Sequence, residues 1–271
     1  MNAAKNWLAR TLAGALLTAT VPLAAVEIVA HRGASHDAPE NTLAAMKLAW
    51  TQRADGIETD LHLSRDGHLV VLHDADTLRV SGVSNRVAQS TWAELKDLDV
   101  GSWKGPAWTG EKIPTLDAIL ATIPDDKFIL LEIKVRVEIL PALEKVLRAS
   151  GKRPVQLRII TFHYETARAA KERFPAHEVY WLVSYKQDAT TGRFPELEEL
   201  IARAEAARLD GLDLDYKFPI DGAFVKKVHA AGLKLHVWTV DDPQTARTLR
   251  DAGVDGITTN RPEFLRRMLQ P

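Results

Sequence analysis

The sequence predicts a (β/α)8 barrel of the TIM type, with a small insertion after strand two. Three observations carry this. Short apolar runs of strand character alternate with helical stretches along most of the chain, the pattern of a parallel sheet. Once one tight-turn hairpin is set apart, the parallel runs number eight. A chain of 271 residues less a 25-residue leader leaves 246, close to the roughly 250 residues of a single barrel. No Gly-x-Gly-x-x-Gly follows the first strand, so the dinucleotide-binding arrangement of the same elements loses its main support.

Taken in order, the chain opens with Lys5 and Arg10, then an uncharged Leu/Ala-rich run from Thr11 to Val26 ending in Pro22-Leu23-Ala24-Ala25. A basic start, an apolar stretch and small residues at its end fit a secretory signal peptide over residues 1–25, and the run is short for a membrane span. A periplasmic or secreted protein without a stable membrane span is therefore expected, with residues 26–271 forming the barrel domain. Strands are expected at Glu27–His31, Gly56–Asp60, Phe128–Val135, Val155–Phe162, Glu178–Val183, Leu212–Asp215, Leu233–Val240 and Asp255–Thr259. Helical patterns fill the gaps, at Thr42–Arg53, Val137–Ser150, Tyr164–Phe174, Pro195–Arg208, Gly222–Ala231 and Pro243–Ala252. Gly151, Gly232 and Gly253 stand where helices should stop. Arg65-Asp66-Gly67 is a tight-turn signal, so His68–His73 must run antiparallel to the second strand and cannot be a barrel strand. The stretch of about 61–113 is then an insertion over the barrel mouth, containing Thr91-Trp92-Ala93-Glu94-Leu95 as a short capped helix. Ile113-Pro114-Thr115-Leu116 returns the chain to the second barrel helix.

Composition limits the function. The hydrophobic set is 46% and charged residues 26%, the balance of a soluble globular protein. Thirty-five basic residues against 36 acidic ones give a formal charge of −1 with no dense basic run, which argues against nucleic acid as a partner. There is no cysteine, so disulfides, thiolate metal sites and a cysteine nucleophile are all excluded. Nothing in the sequence bears on oligomeric state.

In such barrels the chemistry lies at the C-terminal ends of the strands. His31-Arg32-Gly33 ends the first. Glu58 and Asp60 end the second and share a face by parity, a spacing repeated by Glu132 and Lys134 on the third. The hairpin returns His73 beside Asp60. Three carboxylates facing one small cavity repel each other, and a hard divalent cation, Ca2+ or Mg2+, resolves this for an all-oxygen set. The competing reading is that Lys134 and Arg32 neutralise Glu58, Asp60 and Glu132 as ion pairs; the three together favour metal. His31 and His73 at the same mouth suit an acid and a base for phosphoryl or acyl transfer, and Arg32 and Lys134 suit an anion such as phosphate. Trp238, ending the seventh strand, fits barrel packing and substrate contact equally. Asp213 and Asp215 share a face but are read as loop or structural groups.

The ordered set His31-Arg32-Gly33, Pro39-Glu40-Asn41-Thr42, Glu58-Thr59-Asp60, His73-Asp74, Trp92-Ala93-Glu94-Leu95, Gly101-Ser102-Trp103, Ile113-Pro114-Thr115-Leu116, Glu132-Ile133-Lys134 and Val237-Trp238-Thr239-Val240 resembles the glycerophosphodiester phosphodiesterase family. The resemblance covers nearly all of the chain beyond the leader. It implies a (β/α)8 barrel with an insertion after strand two, a divalent metal on Glu58, Asp60 and Glu132, and His31 and His73 as the acid/base pair. Arg32, Lys134 and Trp238 would surround the phosphate and substrate. The activity implied is metal-dependent hydrolysis of glycerophosphodiesters to sn-glycerol 3-phosphate and an alcohol. Two alternatives stay open: phospholipase D-like cleavage of lysophospholipids or sphingomyelin, for which Trp103 and Trp108 in the insertion would supply an apolar mouth, and a barrel that binds phosphate esters without cleaving them. The chain departs from the family's frequent residues at Asp241 (often Asn), Asn260 (near a frequent Asp) and Trp108 (often Phe).

Overall fold

The structure, a computed structural model, describes residues 26–269. The stretch read as a leader lies outside the described residues. Eight parallel strands close into a barrel in the order β1 (Glu27–Ala30), β2 (Gly56–Leu63), β4 (Phe128–Ile133), β5 (Leu157–Thr161), β6 (Val179–Val183), β7 (Gly211–Asp215), β8 (Lys234–Trp238) and β9 (Gly256–Thr259), with β9 paired back onto β1. The remaining strand, β3 (Leu69–Val71), is the predicted antiparallel partner: Leu61 pairs with Val71 and Leu63 with Leu69. β5 starts two residues late because Pro154–Gln156 form a 3-10 turn, β2 runs three residues beyond Asp60 into its pairing with β3, and the other barrel strands lie within two residues of the expected ranges.

Helices α1 (Leu43–Thr51), α4 (Leu116–Leu120), α5 (Leu140–Ala149), α6 (Tyr164–Arg173), α7 (Leu197–Ala206), α8 (Gly222–Ala230), α9 (Pro243–Ala252) and α10 (Pro262–Leu269) surround the barrel; α2 (Leu78–Ser81) and α3 (Trp92–Leu95) lie in the segment between β3 and α4. Their starts are chemically marked. Thr42, Thr115, Asp221 and Asp242 each accept a backbone N–H in the first turn of α1, α4, α8 and α9. The Thr91 N–H donates to Glu94 across 2.7 Å at the start of α3, as the capping pattern predicted. Among the described residues no helix is long and apolar enough to cross a membrane.

Strand parity divides the side chains. Ile57, Leu61, Ile129, Leu131, Leu212 and Leu214 face outward into the main core against the helices. Val29, Phe128, Leu130, Ile160, Tyr180 and Leu182 fill the barrel interior. Gly56 on β2 leaves room for the Phe128 ring: a Cβ there would come within 2.5 Å of it. The segment after β3 has its own apolar cluster, formed by Val70, Leu72, Val80, Val87, Leu95, Val100 and Ile113, which roofs one side of the mouth without entering the main core.

Candidate active site

The first strand leaves the barrel through a turn with two consecutive residues of positive φ, Arg32 (55°) and Gly33 (78°). Gly33 is required twice over, by that conformation and by its contact with α1, where a Cβ would sit 2.6 Å from the Ala45 backbone. The turn aims the Arg32 N–H at Glu58 Oε2 (2.8 Å) and its guanidinium at Glu40 (3.0 Å) and Asp60 (3.4 Å).

Glu58, Asp60 and Glu132 offer carboxylate oxygens that all lie within 4.8 Å of one another, and all three residues are buried. Lys134 lies 2.7 Å from Glu132 and 3.3 Å from Asp60. The ion pairs weighed against metal binding are thus present, but two cations, one of them shared with Glu40, face three carboxylates. Glu58 Oε1 is buried without a hydrogen-bond partner, and Asp60 Oδ1 has only the 3.3 Å ion pair with Lys134. Burial works against the charge on Asp60, yet Lys134 and Arg32 outweigh it and hold the carboxyl below its usual range. Burial, then the charges of Asp60 and Glu132, push Glu58 well above the usual range. Burial and the Asp60 charge raise Glu132 to about 7. An orphaned oxygen and repelling carboxylates are what a hard divalent cation satisfies, so the three carboxylates could hold a metal ion.

The two histidines are held from behind by different partners. His31 Nδ1 lies 2.7 Å from Asn260 Oδ1, which only accepts, so the proton is on Nδ1 and Nε2 keeps its lone pair. Burial, then the nearby Arg32 charge, lower His31 to about 4. His73 Nδ1 meets the Asp74 carboxylate at 2.7 Å. Asp74 also accepts from Arg79 on α2, and Arg79 in turn holds Glu40, so the insertion is tied to the turn after β1.

One cavity of about 140 Å3 is lined by His31, Arg32, Glu58, His73, Glu132, Lys134 and Trp238. Asp60 stands behind this lining, 1% exposed, where Arg32, Lys134 and Asn41 reach it. Trp238 both packs and lines: its ring meets Phe162 edge-on at 5.3 Å, and its Nε1 donates to the Asp213 carbonyl. Asp213 is a correction to the sequence reading, because it lines the cavity instead of sitting in a loop. Burial, then the Glu132 charge, push its carboxyl well above the usual range. Asp215 serves structure, accepting the Lys217 N–H.

Sequence reasoning also assigned no role to Glu40, Asn41 or Asn260. Asn41 donates to Asp60 Oδ2 at 2.7 Å and accepts from Thr59, orienting a carboxylate of the triad. Its position in Pro39-Glu40-Asn41-Thr42 was the available signal. The two departures at Asp241 and Asn260 face each other: Asn260 Nδ2 donates to Asp241 Oδ2 (2.7 Å), leaving its Oδ1 for His31.

A mouth that gathers carboxylates, cations and two imidazoles around one small cavity belongs to the hydrolytic (β/α)8 barrels that act on phosphate esters. The comparisons agree. The model of the Glycerophosphoryl diester phosphodiesterase family matches residues 31–264. A glycerophosphodiester phosphodiesterase of Caldanaerobacter subterraneus is 35% identical over 242 residues, covering 88% of this chain and 95% of that one. The structure of an Oleispira antarctica phosphodiesterase in complex with the product sn-glycerol-3-phosphate superposes with a TM-score of 0.80 at 30% identity, over 90% of this chain and 97% of that one. A glycerophosphodiester phosphodiesterase of Thermotoga maritima gives 0.72 at 30% identity, over 90% and 98%. The chain belongs to the glycerophosphoryl diester phosphodiesterase family.

Proposed function

We propose that this protein hydrolyses glycerophosphodiesters to sn-glycerol 3-phosphate and an alcohol, with a divalent cation held by Glu58, Asp60 and Glu132. The observation that carries it is the gathering of Glu58, Glu132, His31, His73, Arg32 and Lys134 around one cavity, with Asp60 directly behind its lining. The cavity is well below the roughly 300–1,000 Å3 of sites for drug-sized ligands, which suits a small phosphoester. A bound cation would supply charge stabilisation at a non-bridging phosphate oxygen.

The chain's own groups do the rest. Arg32 and Lys134 attract and orient the anionic diester. His31, with its proton fixed on Nδ1 by Asn260, presents Nε2 as the acceptor for the proton of the attacking hydroxyl. As the phosphorus–oxygen bond to the alcohol breaks, His73 delivers a proton to the departing oxygen. Asp74 behind it fixes the ring and offsets the charge of its doubly protonated form. With water as the net reactant, the products are the phosphomonoester and the free alcohol.

A histidine pair of this kind favours catalysis over simple binding, since binding needs only the cations. The lysophospholipid alternative draws less support from the tryptophans named for it: Trp103 is 43% exposed, but Trp108 is half-buried. The leader-like start supports export, so we include a periplasmic or secreted location in the reading. The test is turnover of glycerophosphocholine, glycerophosphoethanolamine, glycerophosphoglycerol and lysophosphatidylcholine with and without EDTA. Release of sn-glycerol 3-phosphate that EDTA abolishes and added Ca2+ or Mg2+ restores is expected. Undiminished turnover in protein shown to hold no metal would refute the metal assignment, and no turnover of any diester would refute the activity.

A further inference from the structure

Asp213 is the ionisable side chain of the cavity lining for which the reaction above has no task. It lies on β7, four strands round the closed barrel from β2 in either direction, directly across from the strand that carries Glu58 and Asp60. It is 1% exposed, and its Oδ1 has no hydrogen-bond partner. A buried polar atom left unpaired costs about 1–3 kcal/mol. Such an atom survives where a ligand supplies the missing partner. The surroundings narrow the ligand. Ile160, Phe162, Leu182 and Trp238 line the cavity along with Asp213, so this side combines an apolar wall with one carboxyl. That pairing suits a short carbon chain ending in a hydroxyl and offers nothing to a second phosphate.

We infer that Asp213 is a specificity-determining residue that hydrogen-bonds the terminal hydroxyl of the substrate's glycerol moiety. The inference rests on the glycerophosphodiester reading. With the phosphate drawn to the Arg32 and Lys134 side, the glycerol carbon furthest from phosphorus extends across the cavity toward β7. The 2-hydroxyl stays next to the reacting centre. A carboxyl pairs with an alcohol in either protonation state, as acceptor when ionised and as donor and acceptor when neutral. The Trp238 Nε1–H on the Asp213 carbonyl couples the apolar wall to this residue, so ring and carboxyl are positioned together.

The test compares two substrates of the metal-loaded enzyme that share one leaving group and the neighbouring 2-hydroxyl. These are glyceryl 4-nitrophenyl phosphate and 2-hydroxypropyl 4-nitrophenyl phosphate, the second lacking only the terminal hydroxyl. A site built to pair a hydroxyl discriminates against the analogue without it, and the wild-type kcat/KM should favour the glyceryl compound by roughly 10- to 100-fold. In Asp213→Ala this preference should fall below about 3-fold, while Asp213→Asn, which keeps a donor and an acceptor in the same volume, should retain most of it. A wild-type preference below about 3-fold overturns the inference whether or not the Ala variant folds. So does a fall in Asp213→Ala that is equal on both compounds and leaves the preference unchanged. Failure of the wild type on both compounds, and on glycerophosphocholine, would instead take down the functional reading and this inference with it.

Discussion

Replacing Glu132 by Gln should stabilise the metal-free protein at alkaline pH while disabling the site. Burial and the Asp60 charge raise the Glu132 carboxyl to about 7 from 4.5. Because the folded-state value lies above the unfolded one, the folded protein keeps a proton between these pH values that the unfolded chain has released. The stability tied to that proton is full below pH 4.5 and is lost as the pH rises through 7. A difference of about 2.5 pH units, at roughly 1.4 kcal/mol each, comes to about 3 kcal/mol. Gln has no proton to release and avoids the loss. The variant should match the wild type near pH 4.5 and exceed it by about 3 kcal/mol near pH 8, a rise in Tm of roughly 6–12 °C. His31, lowered to about 4, acts in the opposite sense between that value and 6.5, but it is common to both proteins and cancels in the difference. The assay is urea unfolding in EDTA, followed by circular dichroism across this pH range. Activity with metal restored should fall by more than the roughly 10- to 100-fold that loss of an outer partner of a metal ligand costs. A Gln variant less stable than the wild type near pH 8 in EDTA would refute the reasoning, since Glu132 would then be held as a favourable ion pair with Lys134.

Metal affinity should tighten as the pH rises toward 7, by at least about tenfold per unit, because binding displaces the Glu132 proton and also any proton held by Glu58; calorimetric titration with Ca2+ or Mg2+ at several pH values measures this. His31→Ala and His73→Ala should each remove most of the turnover, and the double variant little more. On a 4-nitrophenyl diester, whose leaving oxygen needs no proton, His73→Ala should recover much of its rate and His31→Ala should not; the reverse pattern would exchange their roles. Asn260→Leu removes the partner that holds the His31 proton on Nδ1, so kcat should fall by part of the roughly 10²–10⁴-fold that a general base supplies, with KM less affected. N-terminal sequencing of the mature protein should begin near Val26 or Glu27, and intact protein starting at Met1 in the cytosol would contradict export.

The architecture and most of the site were legible because they depend on local rules. Alternating strand and helix patterns imply the parallel barrel, and the Arg65-Asp66-Gly67 turn sets β3 apart as antiparallel. Parity along a strand puts Glu58 with Asp60 and Glu132 with Lys134, and the barrel's polarity puts their strand ends at the mouth. Parity alone cannot say which layer of the interior a residue reaches or what stands across from it. Asp213 has the same two-residue spacing from Asp215 that Glu58 has from Asp60, yet only closure of the sheet sets it opposite β2 and into the cavity. The partners of the histidines are likewise a matter of closure and of the insertion's path. Asn260 is 229 residues from His31 and reaches it because β9 pairs with β1. Glu40 meets Arg79 because the segment after β3 folds back over the turn after β1. Residue types and their spacing determine which chemistry the chain can assemble. Which group faces which, and which buried oxygen is left without a partner, depends on distances between remote segments that exist only once the barrel is closed.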